Sequence, residues 1–176
     1  KDCNFNLINE IIFIDDCSTD NSYELLKKKT NEFKIESFKI DFILIKNSKN
    51  KGYGFSIKKG INKSNNDSIA IIDLDRTYKI EDLNYIANQF INDYNFEYDL
   101  ISGERKIDTT NTSRLKIIGK TIINSITNFC FDEKIVDYNS GLRVFNKDKF
   151  IKHSHMMSNR FSLTTSMTIT FLNEDY

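Results

Sequence analysis

The stretch SIAIIDLD, residues 68–75, decides how the chain is read. Its first part is a compact β-branched apolar run. Runs of that length without polar alternation mark a strand buried on both faces of a parallel sheet. The strand is expected over Ser68–Asp73, so that Asp73 and Asp75 stand at its end. Residues i and i+2 of a strand point the same way. Two carboxylates side by side repel unless a cation joins them, and hard oxygen ligands of this kind suit Mg²⁺ or Mn²⁺ with positions left open for phosphate oxygens. Two solvated turn carboxylates or a helix N-cap would give the same letters.

Outward from this stretch the chain alternates short apolar runs with amphipathic ones. EIIFI (10–14), DFILI (41–45), DLISG (99–103) and GLRVF (141–145) read as further strands. Helical spacing runs through YELLKKKTNEF (23–33), Gly54–Lys63, Ile80–Asn92, Arg114–Phe129 and much of Lys147–Tyr176. Alternating strands and helices predict an α/β fold, a mostly parallel sheet flanked by helices, in one domain over 1–176. Ligands of such sheets bind beyond the carboxyl ends of the strands. Asp15-Asp16 and Asp73/Asp75 both stand there.

Three further clusters carry polar chemistry. Asp15 and Asp16 follow the first strand, where carboxylates accept from a ribose hydroxyl or a base N–H; Ser18, Thr19 and Asp20 after them offer N-cap chemistry. Asn50-Lys51-Gly52-Tyr53-Gly54 places two glycines before a helix, which permits close backbone approach and favours a phosphate, although a plain turn reads the same way. The loop lacks the G-K-[ST] ending of a P-loop. Arg105, Arg114 and Lys116 gather positive charge late in the sheet, and arginine forks suit phosphate oxygens as well as surface ion pairs. Asp137-Tyr138-Asn139-Ser140 leads into the last strand, with the Asp a capping candidate. His153 and His155 have no third ligand nearby and read as exposed helix residues.

Bulk properties narrow the partners. The 176 residues carry 25 basic and 25 acidic side chains, a balance with no pull toward nucleic acid. The Lys27–Lys29 run reads as a solvated helix face. Cys3, Cys17 and Cys130 are odd in number and widely spaced, so reduced thiols are expected rather than a zinc or redox motif. No apolar run approaches the roughly 18 residues that span a bilayer, and no signal-peptide pattern opens the sequence, so the chain is expected to be soluble.

Taken in order, these segments resemble family-2 glycosyltransferases of the GT-A fold. EIIFIDDCSTDNS resembles the family's VDDGSTD segment with Cys17 where Gly is usual, and NKGYGFSIKKGINKS its N-x-G-x-G-x-A-x-x-x-G segment. IAIIDLDRTYKIEDL is similar to the D-x-D segment, which in the polyprenyl-phosphate and dolichyl-phosphate mannose synthase branch often reads DADGTYPIED; Leu74, Arg76 and Lys79 stand where that has Ala, Gly and Pro. DLISGERK, VDYNSGLRVFNKDKF and RFSLTTSMTITFLNEDY resemble that branch's V-x-G-x-R strand, its D-x-x-S-G-x-R-x-F segment and its F-S-x-T-T helix.

The resemblance implies a Rossmann-like GT-A sheet. It implies transfer of a sugar, with inversion, from a nucleotide-diphosphate sugar to a polyprenyl phosphate or a glycan, with Mg²⁺ or Mn²⁺ as cofactor. Asp15, Asp16, Lys51 and Asp73 fall on nucleotide-sugar positions, Asp73 and Asp75 on the metal site, and Arg105, Arg114 and Ser140 on the acceptor-phosphate site. Asp137 and Asp75 match positions at the reaction centre. Action at the cytoplasmic face of a membrane, in glycan or cell-envelope synthesis, is expected in the full-length protein. The family opens with a central strand ending in P-x-Y-N-E, which this sequence is expected to lack, leaving the domain incomplete at its N-terminus. The alternative is an inactive nucleotide-sugar-binding fragment. A sugar-phosphate nucleotidyltransferase would open on a Gly-rich loop that is missing here.

Overall fold

The structure is a computed structural model that describes residues 7–35, 40–75, 77–93, 98–105 and 137–174. The expected helix over Arg114–Phe129 lies outside the described residues, as do Cys3, Cys130 and Arg76. In chain order the elements are β1 (Glu10–Asp15), α1 (Ser22–Ile35), β2 (Asp41–Lys46), α2 (Tyr53–Lys63), β3 (Ser68–Ile71), α3 (Ile80–Ile91), β4 (Leu100–Ser102), β5 (Arg143–Asn146), α4 (Lys147–His153) and α5 (Leu163–Asn173). Each apolar run is a strand. Asp20 accepts from the Ser22 amide at 3.0 Å at the start of α1, the capping chemistry expected there.

Among the described residues the strands form two sheets rather than one. β1 pairs in parallel with β2, Glu10 opposite Asp41 through Asp15 opposite Lys46. β3, β5 and β4 form an antiparallel sheet in that order, with Ile69 and Leu100 both opposite Phe145. The single, mostly parallel sheet expected from the alternation of strands and helices is not what the described strands form: an apolar run shows that a strand is buried, whereas its direction is set by the connection that delivers it.

β5 is the spine of the core. Its side chains alternate, so Phe145 joins Ile61, Ile69, Ile71, Phe150, Leu163, Met167 and Phe171 on one face, while Val144 and Leu142 meet Leu83 and Ile86 of α3 on the other. Arg143, on the face of Phe145, is fully buried. β1 and β2 put no apolar side chain into the buried core, and residues 11–14 and 42–45 are half-buried. α2 links the two regions: Gly60 lies against Ile12 and Ile14 of β1, where a Cβ would collide with the Ile14 side chain, and Ile61 sits in the β3–β5 core.

Lys27–Lys29 are exposed, as expected. His153 is not: it is buried at the end of α4, its Nε2 3.6 Å from Glu174 Oε2, because the chain folds α5 back over it. His155 is exposed.

Candidate active site

β3 ends at Ile71, two residues earlier than expected, so Asp73 and Asp75 lie on the loop after it and do not share a strand face. Asp73 is half-buried, with Oδ1 accepting a hydrogen bond from Tyr53 Oη at 3.1 Å. Burial pushes its carboxyl above the ordinary range. The Tyr53 hydrogen bond works against that, the neighbouring Asp75 charge adds to it, and Arg105 and Arg143 oppose it more weakly. Gly141 abuts this carboxylate so closely that any Cβ there would overlap it. Asp75 is exposed; its Oδ1 accepts from the Thr77 amide at 2.9 Å, and the Thr77 hydroxyl together with that amide holds its carboxyl below the usual value. Burial and the bonded hydroxyl push Tyr53 above its ordinary value, so it remains a donor throughout the neutral range.

Opposite Asp73 is the turn 137–142 that feeds β5. Asp137 is buried and gripped by a guanidinium fork, Arg105 Nε to Oδ2 at 2.7 Å and Arg105 Nη2 to Oδ1 at 2.9 Å. The Asn139 amide also donates to Oδ1, at 3.3 Å. The two residues assigned from sequence to separate tasks, acceptor phosphate and reaction centre, are thus one ion pair. The Arg105 side chain keeps 38% of its surface exposed, so a phosphate can reach it. Ser140 is fully buried: its Oγ is 2.8 Å from Tyr78 Oη and donates to the Leu142 carbonyl. In this structure it shapes the turn and does not face the opening. Arg114 lies outside the described residues.

Three site residues escaped the sequence reading. Tyr53 and Tyr78 brace Asp73 and the Ser140–Gly141 turn; Tyr78 Oη also accepts from the Gly141 amide at 3.1 Å. Arg143 donates from Nε to the Ser140 carbonyl, from Nη2 to the Tyr138 carbonyl and from Nη1 to Thr168 Oγ1, at 2.7–2.8 Å. Burial lowers its pKa to about 10, which still leaves it charged at neutral pH beneath Asp73 and Asp137. A signal existed: period-two alternation in GLRVF puts Arg143 on the side of Phe145, inside the core.

The carboxylates after β1 are differently employed. Asp15 is buried, and both its oxygens lie 3.3 Å from the Ser18 amide. Asp16 accepts from Asn47 Nδ2 and the Lys51 amide at 2.8 Å and from the Gly52 amide at 2.7 Å. The little burial it has would raise its carboxyl, but the Lys51, Asn47 and Gly52 donors together hold it below the ordinary value. The N-terminal amides before α2, expected to be open to phosphate, are therefore used by the chain itself. The helix end is further covered by the Ser158–Arg160 loop. Asn159 O accepts from the Phe55 amide at 3.0 Å, and a Cβ on Gly54 would collide with that backbone. Gly52, at φ +95, takes a conformation that L side chains rarely adopt. Lys51 Nζ stands 5.3 Å from the Phe55 ring centroid, a cation–π contact.

In an α/β frame, acidic side chains beyond the ends of β1 and β3 stand where proteins of this class bind their ligands. The particular family follows from comparison. The sequence matches the family model "Glycosyl transferase family 2" over residues 5–154, most of its length, and the chain belongs to that family. It is a glycosyltransferase, moving a sugar from a nucleotide-sugar donor to an acceptor. No curated protein matches the chain.

Proposed function

We propose that the chain is a metal-dependent, inverting transferase of GT-A arrangement that passes a sugar from a nucleoside-diphosphate donor to a polyprenyl-type lipid phosphate at the cytoplasmic face of a membrane. The observation that carries this reading is the state of Asp73, a half-buried carboxylate raised by burial and by Asp75, hydrogen-bonded by Tyr53 and within electrostatic reach of Arg105. A cation relieves both the burial and the repulsion.

The residues fit Mg²⁺ or Mn²⁺. Among the described residues no cluster of three or more acidic, His or Cys ligands exists, so Asp73 and Asp75 would supply part of an oxygen shell and the donor's phosphates the rest. Such an ion, when bound, stabilises negative charge on the departing diphosphate. Tyr53 fixes the Asp73 carboxylate through its hydroxyl. Arg105 is the anion receptor: an acceptor phosphate competes with Asp137 for the same fork. A phosphate monoester, with a second pKa of about 6, is largely dianionic at neutral pH and needs no base, so Asp137 positions Arg105 and does not take a proton. A sugar hydroxyl would instead require Asp137 as base, freed from that fork. In-line attack then inverts the anomeric carbon.

Two variants test this. Asp75→Asn is expected to abolish Mn²⁺-dependent binding of a nucleoside diphosphate in calorimetry with the melting temperature unchanged; wild-type affinity in the variant would remove the metal assignment. Arg105→Gln is expected to raise the KM for a lipid phosphate by roughly 10- to 100-fold, the loss of a charged hydrogen-bond pair, with donor affinity preserved. Equal loss of donor binding would move Arg105 to the diphosphate.

A further inference from the structure

Single exposed apolar side chains are ordinary on a protein surface and mean nothing alone. Here their distribution is not scattered. Among the described residues the two most exposed large hydrophobic side chains are Phe161, at 83% exposure, and Leu74, at 74%. Both belong to the rim of the candidate active site. Leu74 is the middle residue of Asp73-Leu74-Asp75. Phe161 stacks on Tyr53, ring centroids 6.4 Å apart and planes 12° apart, and Tyr53 Oη donates to Asp73 at 3.1 Å. A short chain of contacts therefore runs from Leu74 through Asp73 and Tyr53 to Phe161.

Phe161 is also held in place and not left to wander. The Ser158–Arg160 loop before it is pinned to α2 by Asn159 O on the Phe55 amide and by Lys58 Nζ, which donates to Met157 O at 2.6 Å and to Asn159 Oδ1 at 2.9 Å. α5 begins two residues after it, at Leu163. A ring fixed by its neighbours yet bare to water costs free energy that an apolar ligand would recover. The surroundings are charged: Asp73, Asp75, Arg105 and the exposed Arg160. A ligand matching this rim has a charged head and an apolar tail.

We propose that Leu74 and Phe161 form the contact surface for the hydrocarbon chain of the acceptor, seating its first apolar units beside the reacting head group. The proposal rests on the lipid-phosphate reading above and adds the residues that make the enzyme prefer a long chain to a short one. The occupant is the acceptor's own tail and not the bilayer surface. Binding Phe161 and Leu74 to hydrocarbon strengthens the acceptor complex before and during reaction alike, so the effect falls on KM and leaves kcat in place.

The experiment uses the full chain in detergent micelles, with a short and a long isoprenyl phosphate as acceptors. Leu74→Ser, Phe161→Ser and the double variant are compared with Leu25→Ser, an exposed apolar residue of α1. The double variant is expected to raise the KM for the long acceptor by about tenfold, the worth of one well-covered apolar side chain, and to abolish the long-over-short preference. Its kcat, donor KM and melting temperature stay at wild-type values, and Leu25→Ser changes nothing. An unchanged long-to-short ratio in the double variant overturns the proposal. So does loss of vesicle binding with an unchanged KM in micelles, which would make the rim a membrane contact. Wild-type transfer to a glycan hydroxyl and to no lipid phosphate would overturn the acceptor reading itself, a failure visible before any variant is made.

Discussion

Asp16 and Asp73 each follow an apolar strand, and their surroundings are opposite. Asp16 is met by three donors from its own chain within 2.8 Å, two of them backbone amides, and its carboxyl is held low. Asp73 is half-buried, its carboxyl is pushed up by burial, and Tyr53 donates to it. The contrast extends to the sheets. The β1–β2 pair carries no member of the buried apolar core, whereas β5 lies at its centre with Arg143 locked beneath the site. A carboxylate met by three donors of its own chain has its charge answered within the fold. One that burial has left wanting a positive partner is where a ligand earns its free energy. Gly52 and Tyr53, adjacent in sequence, join the two: the amide of one serves Asp16 and the hydroxyl of the other serves Asp73.

The comparison is broken hardest at Arg143. Arg143→Met fills much of the volume but takes the Arg143 donor from the Ser140 carbonyl and the Thr168 hydroxyl and the shorter of its hydrogen bonds from the Tyr138 carbonyl. Exchanging a buried ion for an apolar side chain can be neutral when its partners go too; here the partners stay. At ~1–3 kcal/mol for each buried group left unsatisfied, a loss of about 4 kcal/mol is expected in chemical denaturation, a large part of a domain's stability. Thr168→Val leaves Arg143 Nη1 without its acceptor and is expected to cost about 1–3 kcal/mol. A loss below about 1 kcal/mol for Arg143→Met would mean that the 137–142 turn is held by other contacts.

Those two variants also mark where sequence reading reaches its limit. Every apolar run chosen from residues 10–14 to 141–145 is a strand, and the helices at 53–63 and 80–91 match their periodic patterns closely. These signals are local, and local spacing determines them. Sheet partition is not local: nothing in EIIFI or SIAII says that β1 pairs with β2 while β3 pairs with β5. At the site, the carboxylates were legible as letters placed after strands. Their division of labour was not, because Asp16 is satisfied by amides 35 and 36 residues away and Asp137 by an arginine 32 residues away. His153 was misread for the same reason, since the Glu174 that meets it lies beyond another helix.

A second test sharpens the claim that the β1 side is structural. Asp16→Asn exchanges one acceptor oxygen for an NH₂ that faces amide donors. With the partial exposure of the site, about 1–2 kcal/mol of stability should be lost near neutral pH. The sign of the pH dependence follows from the depressed carboxyl. Its contribution is fully present above the unfolded value of about 4 and is lost as pH falls through the folded value. The gap between wild type and variant should therefore close in acid, and donor KM should track stability alone. A collapse in donor affinity without loss of stability would return Asp16 to the ligand.

The smallest expected effect is at Cys17, one residue further along the same loop. Cys17 has φ 66 and is, among the described residues, the non-glycine residue with positive φ. That conformation costs an L side chain roughly 1–2 kcal/mol, which Gly does not incur. Glycine brings its own cost of about 0.5–1 kcal/mol, because the unfolded chain gains freedom that folding must remove. The difference favours Cys17→Gly by somewhat under 1 kcal/mol, a rise of a few degrees in melting temperature at this size. The lost thiol offers little against this: its contact is a long 3.9 Å approach to the Ser48 carbonyl. If the loop after β1 serves the fold alone, the substitution leaves donor KM and kcat at wild-type values while the melting curve moves up. A change in donor KM at constant melting temperature would show that the loop after β1 touches the nucleotide, and would erase the contrast with Asp73.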